Sequence, residues 1–199
     1  PVAELAYRAA GREVAPELPT PLSVGQSHPS GVPVRIKIDP SFDFDLPDGW
    51  TAEPDEEGGI AVTGPAGIGL LHLIAFAQGG GDLPDPAEEL YIFLEDQGIE
   101  LEEDEIEDLE LSLGAELSLC EYLSEDDDEE DQEGSETTYW LVAVATSPGI
   151  LVFASYTCPA DAVDSERESI RGILATLVLG LAAWAILKML FAGIREHHA

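Results

Sequence analysis

YWLVAVATSPGILVFASYTC, residues 139–158, is the stretch whose reading decides the fold. Two runs rich in Val, Ile, Phe, Tyr and Trp, 138–146 and 150–157, flank Ser147-Pro148-Gly149. Residues of that type suit a pleated, half-buried surface, and Pro-Gly between them marks a tight turn. The pair therefore reads as two antiparallel strands.

The same pattern recurs upstream. Residues 106–112 and 115–123 read as a hairpin around Gly114, and 59–63 and 68–77 as another around Gly64-Pro65. The run 68–77 (IGLLHLIAFA) is apolar at nearly every position, so it is expected to be central and covered on both faces. Earlier still, Val34, Ile36 and Ile38 alternate with Arg35 and Lys37. Phe42, Phe44 and Leu46 alternate with Asp43 and Asp45 before a Pro47-Asp48-Gly49 turn.

Two helices interrupt the strands. Asp85 can cap the first, Pro86 suits its first turn, Glu88 and Glu89 favour its positive end, and Gly98 ends it. Leu90, Phe93 and Leu94 form its apolar stripe. A second helix is expected from near Ala162, with Val163, Ile170, Ile173, Leu174 and Leu177 on one face. Short connections between most strands imply an antiparallel sheet, and hence the α+β class with helices flanking the sheet.

The expected organisation has three parts. Residues 1–32 comprise a weakly helical start and a Pro-rich arm, since 14–33 contain Pro16, Pro19, Pro21, Pro29 and Pro33. Residues 33–177 form the α+β domain and are expected to contain its whole core. Residues 178–199 are expected to form an apolar C-terminal helix.

Three segments, SFDFDLPDGW (41–50), YWLVAVATSPGILVFASYTC (139–158) and SERESIRGILATL (165–177), carry a resemblance. Together they resemble the PsbP-like superfamily, which includes DcrB-type lipoproteins and Eag-type secretion chaperones. The resemblance covers about residues 33–177. It implies an antiparallel sheet flanked by helices and a non-catalytic role in binding other proteins. It supplies no catalytic residues to carry over. The acidic run at 124–135 and the apolar extension after Leu177 depart from it.

Charge bounds the function. Residues 38–166 contain 36 Asp and Glu, no Lys and no Arg, and the net charge of the chain is −33. Such a surface repels phosphate, nucleic acid and anionic bilayers, so no nucleic-acid partner is expected. It suits salt, a basic protein partner or loosely held cations.

No site emerges from the motifs. The acids of Asp126–Asp131 lack the Gly and closing Glu of a helix–loop–helix calcium motif, so no metal is expected. His72 lies on an apolar strand and reads as a buried, hydrogen-bonded histidine. Cys120 and Cys158 lack the spacing of a metal pair and read as buried thiols. Gly79-Gly80-Gly81 lacks the lysine of a phosphate loop. No catalytic residue, cofactor or metal ligand is nominated, and the chain is read as a non-enzyme.

Residues 172–194 carry one charge, Lys188. As one helix, 23 residues extend about 34 Å, enough to cross the hydrocarbon core. The sequence thus suggests a binding or accessory module anchored in a membrane through 172–194. The alternative is a soluble, cytoplasmic chaperone or adaptor of the secretion type that shields apolar helices of a client.

Overall fold

The computed structural model describes residues 33–38, 41–55, 58–78, 83–125 and 137–180. The Pro-rich arm, the triple glycine, the acidic run 126–136 and the apolar residues 181–199 lie outside the described residues. What is described is α+β and antiparallel throughout its sheets.

The large sheet has seven strands. In chain order they are β3 (Thr51–Pro54), β4 (Ile60–Thr63), β5 (Leu70–Ala77), β6 (Glu107–Glu110), β7 (Glu116–Glu125), β8 (Thr137–Ser147) and β9 (Ile150–Pro159). Their spatial order is β3-β4-β5-β9-β8-β7-β6. The β8–β9 hairpin lies at its centre, in the register Ser147↔Ile150 through Thr138↔Pro159. A smaller sheet joins β1 (Val34–Ile38), β2 (Phe42–Leu46) and β10 (Val178–Leu179) in the order β1-β2-β10.

Side-chain alternation divides the core between the two faces of the large sheet. On the inner face, Leu71, Leu73, Leu117, Leu119, Leu141 and Tyr156 pack with Phe42, Phe44 and Leu46 of β2 and with Ile170, Ile173 and Leu174 of the second helix. On the outer face, Leu90, Phe93 and Leu94 of the first helix cover Cys120, Val142, Val144, Leu151 and Phe153. The rings of Phe93 and Phe153 sit 4.6 Å apart. The molecule is therefore three layers deep.

Helix α1 (Pro86–Asp96) begins and ends as its sequence dictates. Asp85 Oδ1 accepts from the Ala87 and Glu88 amides at 2.9 and 3.4 Å, and Gly98 closes the helix at φ 73°. Helix α2 (Arg167–Ala175) begins later than expected. Ala160–Ser165 is a 3-10 turn, tightened by the Ser165 hydroxyl on the Ala162 carbonyl at 2.6 Å. The reason is Glu166, whose side chain turns into the core at this point (4 % exposed).

Two further expectations are corrected. β5 is covered on both faces at Ile74 (7 % exposed) and Phe76, but α1 packs over β7 and β8 and leaves its outer face near Leu70 open (37 % exposed). The 172–194 stretch is not one helix. Gly172–Ala175 completes α2, Leu177 is buried beyond the helix end, and Val178–Leu179 pairs with Asp43 and Phe42 of β2. Leu179 is 4 % exposed, so the core runs past the expected boundary at 177. No helix among the described residues is long and apolar enough to cross a membrane.

A candidate binding face on the large sheet

The described arginines are engaged within the domain. Arg35 on β1 pairs with Asp43 and with Asp45 (2.8 Å) on β2 and donates to the Thr176 carbonyl at 3.0 Å. Thr176 Oγ1 in turn accepts the Asp45 amide at 2.9 Å, so the end of α2 is tied to the small sheet. Arg167 pairs with Glu121, while Arg171 reaches Glu121 at 2.7 Å and Glu107 at 2.6 Å. Burial pushes the Glu121 carboxyl up, but hydrogen bonds from the two arginines outweigh it and hold it below the usual glutamate value. These pairs clamp α2 to β6 and β7.

With those cations inside, carboxylates dominate the exposed edge. β6 ends the large sheet and carries Glu107, Asp108 and Glu110, with Glu116 opposite Glu110 on β7. Charge on an edge strand discourages pairing with another copy.

Sequence reasoning named no role for Glu166, and the structure places it at the centre of a buried network. Glu166 Oε2 accepts the Tyr156 hydroxyl at 2.8 Å and the Gly69 amide at 3.2 Å. A Cβ on Gly69 would collide with the Tyr156 ring, and one on Gly64 with Glu166 Oε1. The glycines of the β4–β5 connection are thus fitted to this network, which was the one signal available from sequence.

The residues singled out by sequence are not brought together. His72 is half-buried on the outer face, its Nδ1 3.8 Å from Asp55 Oδ2, and is not the enclosed residue expected. Cys120 lies on the outer face under α1, three strand spacings from β5, or about 14 Å. Cys158 faces the opposite layer. Burial pushes the Cys120 thiol up to about 12 and raises that of Cys158 as well, so both are poor nucleophiles.

The open half of the outer face differs from the rest of the surface. Its outward positions are Thr63 on β4, Leu70 and His72 on β5, Thr157 on β9, Thr138 and Trp140 on β8, and Tyr122 and Ser124 on β7. None of these is an acid, but Glu53 of β3, opposite Ala61, shares the face, and Asp55 lies beside His72. Trp140 and Tyr122 stack with planes 4° apart and centroids at 6.1 Å. The Trp140 indole Nε1 donates to Ser124 Oγ at 2.9 Å. Beside them a trough of about 410 Å³ opens among Thr63, Gly69, Leu70, Thr138 and Thr157. Such a surface can offer hydroxyls and an aromatic face to a ligand.

No family model and no curated protein matches the sequence. Among solved structures, the chain is similar to a crystal structure from Bacteroides thetaiotaomicron VPI-5482 at 17 % identity and a TM-score of 0.47. That match covers 69 % of this chain and 44 % of the other, so this chain spans less than half its length. It is also similar to the solution structure of cyanobacterial PsbP (CyanoP) from Synechocystis sp. PCC 6803, at 12 % identity and a TM-score of 0.49, over 78 % of this chain and 98 % of that one.

Proposed function

We propose that the protein is a non-catalytic binding module held at a membrane by the residues that follow Gly180, with the acidic β6 edge turned toward a basic protein partner. One observation carries the reading. The folded core uses the apolar residues up to Leu179, and the next 14, Leu181–Ile194, carry a single charge, Lys188. As a helix they would extend about 21 Å, short of the roughly 30 Å hydrocarbon core. In this reading the segment lies along the membrane interface, with Lys188 reaching to the headgroups.

Membrane fractionation of the full chain beside a version ending at Gly180 tests it. The full chain is expected to sediment with membranes through a high-salt wash, and the shortened one to be released. A full chain that is soluble and monodisperse without detergent sinks the membrane reading.

A second reading, the soluble secretion-type chaperone, rests on α1. Its outward side shows Tyr91 and Ile92, with Leu83 exposed just before it, where an apolar helix of a client could lie. Detergent-free solubility of the full chain, with protection of Tyr91 and Ile92 when a client helix is added, favours this reading.

A further inference from the structure

We propose that the open half of the outer face, beside α1, binds the neutral ring of a saccharide. The chemistry of the trough carries this. Thr138 and Thr157 present hydroxyls, each able to donate and to accept, around the apolar surface of Leu70, while the Thr63 hydroxyl, bonded to that of Thr51 at 2.7 Å, keeps acceptor capacity. A sugar ring has this mixed character, with hydroxyls at its rim and C–H groups on its face. Its volume of about 410 Å³ lies in the range of small-ligand sites.

Trp140 completes the arrangement. Tyr122 stacks on it from the β7 side, so the other indole face turns toward Thr157, its direct partner on β9. The electron-rich face of an indole attracts the electropositive C–H groups of a sugar. The ring is already held by its stack on Tyr122 and its bond to Ser124, so little side-chain freedom is lost on binding. The floor is fixed as well, because the Gly69 amide is bonded to the buried Glu166.

Other ligand classes fit less well. An added peptide strand needs open backbone groups, whereas β5, β9 and β8 are each paired on both sides. An apolar helix would strip water from the threonine hydroxyls without replacing their hydrogen bonds. An anion meets no cation here and is repelled by the surrounding carboxylates, so the sugar is uncharged.

The test uses the full chain in a non-glycosidic detergent, titrated with cellobiose, maltose and N,N′-diacetylchitobiose, and with glucuronic acid as the charged control. The readout is the indole N–H resonance of Trp140, assigned with Trp140→Phe, together with saturation transfer to the sugar. At least one neutral disaccharide is expected to shift that resonance saturably, and glucuronic acid to leave it in place. Thr157→Val and Thr138→Val keep the side-chain shape and remove a hydroxyl. Each is expected to weaken binding about three- to tenfold while the melting temperature stays put. Failure of all three disaccharides to give a saturable shift overturns the proposal. So does binding that both valine variants leave unchanged, or binding of glucuronic acid as tight as that of the neutral sugars.

Discussion

The Tyr156 hydroxyl donates to Glu166 Oε2 across 2.8 Å, joining the central strand β9 to the residue that starts α2. A carboxyl at that depth needs its donors, and the Gly69 amide supplies another at 3.2 Å. Tyr156→Phe removes the first donor and leaves the acid buried. We expect a loss of about 1–3 kcal/mol, read as a lower urea midpoint with an unchanged slope. Gly69→Ala forces a methyl against the Tyr156 phenol and should cost about as much. Wild-type midpoints in both variants would show the network to be dispensable.

Glu121 sets a pH dependence. Its folded pKa lies below the unfolded value of about 4.3, so its stabilisation is fully present above that value and is lost as pH falls through the depressed folded value. Glu121→Gln should be less stable than wild type at pH 7 by about 1–2 kcal/mol. The gap should close as the pH is lowered below about 4. A gap that stays constant from pH 7 to pH 3 would mean that Arg167 and Arg171 do not depend on the charge of Glu121.

Both cysteines should be silent in the folded protein. Each is buried, on opposite faces of the sheet, with its thiol raised above the ordinary value. Ellman's reagent at pH 8 is expected to label neither within the lifetime of the native state and both in denaturant. Fast labelling of one thiol in native buffer would place it in an opening part of the sheet.

Salt should stabilise the domain. Carboxylates crowd residues 38–166, and the screening length falls from about 30 Å at 0.01 M to about 3 Å at 1 M. The folded state concentrates the charge, so screening relieves it more than the expanded chain. The melting temperature is expected to climb across that range. A flat or falling curve would mean that the arginine clamps, which salt weakens, outweigh the general repulsion.

Ending the chain at Leu177 removes β10 and the buried Leu179, whereas ending it at Gly180 keeps both. The 33–177 fragment should be less stable than 33–180 by about 2 kcal/mol, the scale for burying one leucine. Equal denaturation midpoints would make β10 an ornament of the edge rather than part of the core.

What the sequence revealed was set by local rules. The alternation in Phe42–Leu46, the turn at Pro148-Gly149 and the Asp85-Pro86 cap each act within a few residues, and each stands where it was read. What it concealed depends on distant partners. Glu166 is one of 41 acids, and only the approach of Gly64, Gly69 and Tyr156 distinguishes it. Val178-Leu179 looks like the apolar run that follows it, and only β2 makes it a strand. The open face beside Leu70 depends on where α1 comes to rest, which no pattern within β5 can state.

β10 also has a mechanical meaning. It is a two-residue strand at a sheet edge, followed by a single bond from the Gly180 amide to the Ser41 carbonyl at 2.7 Å. Tension on the chain beyond Gly180 enters the domain at that bond and meets the pairings one after another, in the manner of a peeled seam rather than a sheared lap joint. Loads of that kind open an edge strand while the interior β8–β9 hairpin still holds. Pulled from beyond Gly180, the domain is expected to yield first at β10.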